Sequence, residues 1–146
     1  MSAEANLATL QGAYARWHET KGGSADEILD MFDDEVEMHS ALSADVPHEV
    51  AGVHMHRAEA AQYFEGLARD WEMIFYHVDR FIVGEEDANG DNEIVMVGRC
   101  SWKNRNTGIT IDVPKIDVHT FKGGKVVRFQ ESYDTLAFAR ALGMVP

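Results

Sequence analysis

Hydrophobic residues recur every three to four positions in three segments of the chain, which is the spacing of an amphipathic helix. The first segment predicts a helix over residues 3–19, whose apolar stripe consists of Leu7, Leu10, Tyr14 and Trp17. After Gly22 and Gly23, Ser24 and Glu27 match a capping box and predict a short second helix. The third helix is predicted over residues 56–71.

Strict alternation of apolar and polar residues predicts strands elsewhere. One strand is predicted at Glu35–His39, before the third helix. Four more are predicted after that helix, over residues 74–83, 93–103, 109–121 and 125–133. The segments between these four are short and contain Gly and Asn, so they suit tight turns between antiparallel neighbours. Asp134 is placed to cap a last short helix, with Gly143 after it and Pro146 beyond.

The order of elements predicts an α+β fold in which helices pack on one face of a strongly bent antiparallel sheet. A parallel βαβ arrangement is excluded for the late strands, because their connections are too short for a crossover. At 146 residues the chain is expected to form one domain, over residues 1–146.

The charge of the chain limits its partners. Thirteen basic and 25 acidic residues give a net charge of -12, which repels nucleic acids and anionic lipid surfaces. The N-terminal segment predicts a helix rather than a signal peptide, and no long apolar run predicts a membrane span. Cys100 is the only cysteine and is expected to be a small core residue. We therefore expect a cytoplasmic protein that binds neither nucleic acids nor membranes.

Two sequence segments carry a resemblance to a known superfamily. The segment FDDEVEMHS follows the helical pair, and PKIDVHTFKGGKVVRFQESYDT ends the strand-rich part. With the order of elements, they resemble the NTF2-like superfamily, of the ketosteroid isomerase and SnoaL-like polyketide cyclase type. The resemblance covers almost the whole chain and implies a cone-like α+β barrel with a pocket at its wide end. It leaves the reaction open, since the superfamily includes isomerases, cyclases, dehydratases, epoxide hydrolases and non-catalytic binding modules.

The same resemblance implies four site residues. His39 stands where ketosteroid isomerases have a proton-shuttling carboxylate, and Asp117 matches their protonated aspartate, four residues before a Phe. Tyr14 corresponds to the tyrosine that hydrogen-bonds the developing oxyanion, if two residues are inserted at the Gly-Gly turn. In SnoaL-like cyclases an acid-base pair lies on the last two strands, and those positions fall on Asp117 and Glu131.

Strand alternation supports this grouping independently of the family. Alternation places Asp117 on one face of its strand, and the short turn that follows makes Phe129 or Glu131 its cross-strand neighbour. If the two carboxyl groups lie inside an apolar cone, burial and mutual repulsion raise the pKa of at least one of them. That group is then a carboxylic acid that can donate a hydrogen bond to an enolate oxygen. We expect His39 to be the base, Asp117 and Tyr14 to be donors, and Glu131 to orient His39 or act as a second acid.

Aromatic residues are the candidates for a ligand-binding surface. The six predicted to line a pocket are Trp17, Phe64, Trp71, Phe75, Trp102 and Phe129. Each candidate also has a purely structural interpretation: the aromatic residues as core, Asp117 as an ion pair with Lys115 or His119, and His39 as an exposed side chain. A metal site formed by His48, His54 and His56 lacks a firm scaffold, so we predict no metal.

These features predict a cofactor-independent acid-base enzyme acting on a small, largely apolar carbonyl compound by isomerisation, cyclisation or dehydration. The alternative is a non-catalytic ligand-binding or dimerisation module of the same fold. The apolar residues Ile116 and Val118, on the face opposite Asp117, predict a homodimer through the outer face of the sheet.

Overall fold

The computed structural model describes residues 2–145, so Pro146 lies outside the described residues. Four helices and six strands follow one another along the chain. The helices are α1 (Ala3–Glu19), α2 (Ala25–Met31), α3 (His56–Asp70) and α4 (Thr135–Ala141). The strands are β1 (Phe32–Ser40), β2 (Val53–Met55), β3 (Trp71–Val83), β4 (Asn92–Asn104), β5 (Thr110–Lys122) and β6 (Lys125–Tyr133).

The helices form where the hydrophobic periodicity predicts them. Helix α1 buries Leu10 and Trp17, and α4 is capped by Asp134, which accepts a hydrogen bond of 3.0 Å from the Ala137 N–H. Helix α2 also forms, but the predicted capping box does not, because the Ser24 side chain makes no capping hydrogen bond. Short helices of this kind are stabilised mainly by their packing.

The strands form a single sheet in the order β2-β1-β6-β5-β4-β3. Strands β3 to β6 pair as three successive antiparallel hairpins, as the turn residues predict. The sheet is nevertheless mixed, because β1 lies parallel to β6. Strand β2 is not among the predicted strands, because three residues are too few for a two-residue period to be recognised. The predicted class, an α+β fold with helices on a curved sheet, is confirmed.

Two irregularities in β3 shape the sheet. The register with β4 shifts between Met73 and Phe75 and again between Val78 and Arg80. An extra residue in one strand bends it and reverses which side chains point inward from there on. The concave face therefore curves over the helices, and most of the buried apolar side chains lie between the two layers.

Cys100 lies in this core, as predicted, and burial raises the pKa of its thiol to about 11. The thiol is therefore protonated at neutral pH and is a poor nucleophile. Within residues 2–145, none of the helices is long and apolar enough to cross a membrane.

Candidate active site

A cavity lies between the concave face of the sheet and the helices. The space between atoms inside it and at its mouth, open solvent included, amounts to about 820 Å³. Most of its lining is apolar. Four of the six aromatic residues predicted to line a pocket do so: Trp17, Phe64, Trp102 and Phe129.

The other two aromatic candidates do not line this cavity. Trp71 stacks on Phe138, with the ring centroids 4.4 Å apart. Simple alternation along β3 would point Phe75 inward after Met73, but the register shift between them makes Tyr76 the inward residue. A bulge of this kind is not visible in a hydrophobic pattern.

The polar end of the cavity is formed by alternate residues of β5. Lys115, Asp117 and His119 all point inward, and each is buried. In the pairing of β5 with β6, Asp117 lies directly opposite Glu131, which is one of the two neighbours that the sequence left open; the other, Phe129, lies opposite His119. Asp117 and Glu131 are each only 1% exposed. Two carboxyl groups and one ammonium group are thus held together out of contact with water.

Asp117 is surrounded by hydrogen-bond donors. The hydroxyl groups of Tyr14 and Tyr76 donate to its Oδ2, at 2.5 and 3.2 Å, and the Lys115 ammonium donates to its Oδ1 at 2.5 Å. Three donors around one carboxyl group favour the carboxylate over a protonated acid. This geometry therefore does not fit the expected role of Asp117 as a proton donor, and it makes Asp117 the charge partner of Lys115.

Glu131 has fewer partners than Asp117. The Tyr63 hydroxyl lies 2.5 Å from Oε1 and 2.7 Å from Oε2, but it has one proton to donate. The Lys115 ammonium is 3.9 Å from Oε2, beyond hydrogen-bond distance. Burial raises the pKa of Glu131 to about 7, since it outweighs the opposing charge of Lys115. Glu131 therefore exchanges a proton near neutral pH.

The charges of the neighbouring groups follow from the same surroundings. Burial alone would lower the pKa of Lys115, but the charges of Asp117 and Glu131 outweigh it and hold that pKa above its usual value. Burial lowers the pKa of His119 to about 4, so its ring is neutral at neutral pH. Its Nε2 lies 3.2 Å from the Tyr14 hydroxyl oxygen. Burial also raises the pKa of Tyr14, which keeps that hydroxyl protonated.

The raised pKa of Glu131 gives a stability prediction. The folded protein keeps the Glu131 proton to higher pH than the unfolded chain does, so this contribution to stability is present at low pH and lost as the pH rises through about 7. Replacing Glu131 by glutamine removes that loss. From about pH 5 to about pH 8, the stability of Glu131→Gln relative to the unmodified protein should increase by roughly 3 kcal/mol. Urea unfolding of both proteins at the two pH values measures the change.

His119 titrates in both of these proteins, so its contribution cancels in the comparison. Its lowered pKa has the opposite effect, since its stabilisation is present above about pH 6.5 and is lost as the pH falls towards 4. A stability difference that is the same at both pH values would contradict the proposed protonation of Glu131.

His39, the expected base, is not brought to the cavity. Its neighbour Met38 is buried and lines the cavity, so alternation along β1 points His39 to the outer face of the sheet. There its Nε2 lies 3.3 Å from Glu37 Oε1. The expected role of His39 as the base does not fit this position. Tyr14 and Glu131, in contrast, both line the cavity.

Several groups in the cavity were not predicted as site residues: Lys115, His119, Tyr63 and Tyr76. The sequence does place Lys115 and His119 on the same strand face as Asp117, and this was the available signal. Tyr63 gives no such signal, because its contact with Glu131 joins residues 68 positions apart. Tyr76 was not predicted because the bulge in β3 changes which side chains of that strand point inward.

The three histidines considered for a metal do not come together in the described part of the chain. His48 instead lies near Glu49 and Asp70, but this cluster does not suit a metal ion. The Val50 N–H donates to Nδ1 of His48, which leaves the proton of the neutral ring on Nε2, where a ligand must be unprotonated. The Arg69 guanidinium also binds both carboxylates, at 2.7 and 2.5 Å.

No protein-family model matches the sequence, and the comparison with curated proteins found no match. Solved structures are similar in fold. An NTF2-like protein from Burkholderia xenovorans LB400 has a TM-score of 0.75 at 22% identity, over 97% of this chain and 98% of that chain. A candidate isomerase from Rhodopseudomonas palustris has a TM-score of 0.71 at 18% identity, over 94% and 96%. A candidate SnoaL-like polyketide cyclase from Mesorhizobium loti has a TM-score of 0.64 at 12% identity, over 87% and 98%. The chain therefore has the NTF2-like fold, as the resemblance implied.

Proposed function

We propose that this protein is a cofactor-independent acid-base enzyme acting on a small, largely apolar carbonyl compound. The observation that carries the proposal is Glu131, a buried carboxyl group in an apolar cavity whose pKa is raised to about 7. A general acid or base works best when its pKa lies near the working pH. Catalytic sites are where strongly shifted carboxyl groups of this kind concentrate.

Glu131 replaces His39 as the proposed base. Its carboxylate takes a proton from a carbon next to the substrate carbonyl group, and the electron pair moves to the carbonyl oxygen to form an enolate. The protonated Glu131 then returns the proton to a different carbon, which is an isomerisation, or to a leaving hydroxyl group, which is a dehydration. Where the enolate instead attacks a second carbonyl carbon of the same molecule, the result is cyclisation.

Lys115 is the proposed stabiliser of the enolate oxygen. Its ammonium group has three N–H bonds, and among the described residues only Asp117 lies within hydrogen-bond distance of it. The remaining N–H bonds are free to donate to a developing negative charge, which is strongly stabilising in a site without water. The raised pKa of Lys115 keeps it charged, so it does not act as a nucleophilic amine. Asp117, which also accepts a hydrogen bond from Tyr14, holds the charged group in place.

Deuterium exchange tests this proposal without knowledge of the substrate. We suggest incubating the protein in D₂O with a panel of apolar ketones and enones and measuring loss of the proton signals next to the carbonyl group by NMR. An enzyme of the proposed kind should catalyse exchange or conversion of at least one compound, and Glu131→Gln should not. Exchange that is as fast with Glu131→Gln would refute the role of Glu131.

A non-catalytic binding module is the second candidate function, and one observation favours it. The polar groups at the end of the cavity are bonded largely to one another, with Asp117 accepting from three partners. Such a network can also specify a rigid pocket without chemistry. A module of this kind would bind members of the panel, as shown by changes in tryptophan fluorescence, and leave all of them unexchanged.

We also propose that the protein forms a homodimer through the outer face of the sheet. Ile116 is 44% exposed on that face and Val118 is half-buried, and in β4 they pair with the half-buried Val97 and Val95. Four branched apolar side chains on adjacent strands make a contiguous surface for a partner.

Light scattering should accordingly give about twice the chain mass of 16.3 kDa. A charge at Ile116 would be buried in such an interface, so Ile116→Lys should give the monomer mass. The matched control is Leu136→Lys, which changes a somewhat more exposed leucine on α4 and should leave the dimer intact. A monomer mass for the unmodified protein would contradict the proposal.

A further inference from the structure

A second hollow opens at the surface next to the cavity of the candidate active site, and we call it the outer hollow. It is bordered by the turn after α1, the end of α3 and the turn after β4. Four side chains line both spaces and form the wall between them: Trp17, Phe64, Leu67 and Trp102. A molecule bound in the cavity and one bound in the outer hollow would therefore touch the same apolar wall.

The charge of the outer hollow is the opposite of the charge of the chain. Lys21 and Arg105 line it, and no acidic residue does, although the chain has 25 acidic and 13 basic residues. Neither Lys21 nor Arg105 forms an ion pair with any residue between 2 and 145. Lys115, in the cavity of the candidate active site, differs from these two residues because it forms an ion pair with Asp117. The outer hollow thus presents two unpaired cations beside an apolar surface.

The backbone holds Lys21 against this wall. Lys21 and Gly22 both have left-handed conformations, with φ of 51° and 82°. Two hydrogen bonds back to α1 fix the turn, from the Lys21 N–H to His18 O and from the Gly22 N–H to Trp17 O. The turn also packs closely on the wall, since a Cβ atom at Gly22 would lie 3.5 Å from the Trp102 ring. The backbone from which the Lys21 side chain extends is therefore fixed beside the wall.

We propose that the outer hollow binds the anionic group of an elongated apolar acid, whose carbonyl end reaches Lys115 and Glu131. This inference rests on the proposed function and names its substrate class. Trp102 pairs with Ile111 in the sheet, and Asp117 lies six residue steps along β5 from Ile111, or roughly 20 Å of strand. The anion and the reacting carbonyl group would thus lie at opposite ends of an apolar body of about that length.

The wall must open for one ligand to occupy both spaces. The rings of Trp17 and Trp102 are 6.2 Å apart between centroids, and those of Trp17 and Phe64 are 5.7 Å apart, so the wall is closed in this structure. Trp102 is only half-buried, whereas the other three wall residues are buried, so its ring is the one with room to turn.

A pair of matched probes tests the inference. Undecanoic acid carrying a dansyl group at its far end has the proposed shape, and its methyl ester lacks only the charge. Each exposed charge pair contributes a factor of up to about five, so the acid should bind about tenfold more tightly than the ester in a fluorescence titration. In the double variant Lys21→Gln/Arg105→Gln this preference should disappear, while the ester keeps its affinity. Added salt should weaken the binding of the acid and leave the binding of the ester unchanged.

The matched control is Lys103→Gln/Lys122→Gln, which removes two exposed basic residues that line neither space and should keep the preference. Equal binding of acid and ester by the unmodified protein, or a preference that survives in Lys21→Gln/Arg105→Gln, would overturn the inference. Glu131→Gln distinguishes a failure of this inference from a failure of the proposed function. A Glu131→Gln variant that retains both the preference and full proton exchange would leave the outer hollow standing and refute only the proposed chemistry.

Discussion

Lys115→Met is expected to lower the free energy of unfolding by about 3–5 kcal/mol at about pH 8. The substitution keeps the length of the side chain but leaves the buried Asp117 and Glu131 with no cation to balance them. An uncompensated charge in a water-free site is costly because water no longer solvates it. Chemical denaturation by urea measures the loss.

The loss should become smaller in acid. Loss of the Lys115 charge raises the already raised pKa of Glu131 further, so this group is protonated in Lys115→Met at about pH 5, and the defect there should be well below that at about pH 8. The double variant Lys115→Met/Asp117→Asn is the control, because asparagine still accepts hydrogen bonds from Tyr14 and Tyr76 but carries no charge. It should recover most of the lost stability. If Lys115→Met were as stable as the unmodified protein at about pH 8, the buried ion pair would have no energetic role.

The sequence predicts the helices and the late hairpins well, because their signals are local. The stripe of Leu10, Tyr14 and Trp17 requires only the helical period, and the turns between β3, β4, β5 and β6 require only Gly and Asn. In these places a pattern and its consequence are close together in the chain. The pairing of Asp117 with Glu131 depends on more than the short turn, because the register shifts between Thr120 and Phe121 and would otherwise place Asp117 opposite Gln130.

The structure places His39 outside the cavity, on the face that the alternation of Val36 and Met38 with charged residues indicates, whereas the family resemblance implied an inward position. Val36 and Met38 turned out to be the inward residues of β1, and shifting the phase by one would have brought His39 inside instead. That phase is set by the parallel pairing of β1 with β6, in which Met38 lies beside Phe129. The two strands are distant in sequence, so local alternation indicates the apolar face of β1 but not which strand lies beside it.

Two site residues that the sequence did not identify, Tyr63 and Lys115, were missed because their contacts also depend on elements that are distant in sequence. Tyr63 is on α3 and reaches Glu131 only after the helix packs across the sheet. The sequence shows Lys115 on the Asp117 face, yet a lysine is rarely buried, so a surface ion pair was the simpler interpretation. Burial of this lysine becomes acceptable only with two carboxyl groups beside it, and that arrangement needs β5 and β6 together.

The catalytic prediction tests the reassignment from His39 to Glu131. Glu131→Gln should lower the rate of proton exchange or turnover by a factor of about 10² to 10⁴, the usual contribution of a positioned acid or base. Glutamine is close to glutamate in size and still accepts a hydrogen bond from Tyr63, so the loss would reflect the missing proton-transfer group. In the unmodified protein kcat/KM should rise with pH through about 7, because the base must be ionised, and Glu131→Gln should lack that rise. Rates measured across this pH range provide the comparison.

His39→Gln is the matched control, since it changes the residue that the sequence favours without touching the cavity. It should leave the rate within a factor of about two, because the His39 ring lies on the outer face beside Glu37 and cannot reach a substrate bound near Asp117. The reverse result, a large loss with His39→Gln and none with Glu131→Gln, would restore the assignment implied by the family resemblance. It would also require β1 to shift by one residue against β6, because no rotation of the side chain alone brings His39 to the concave face.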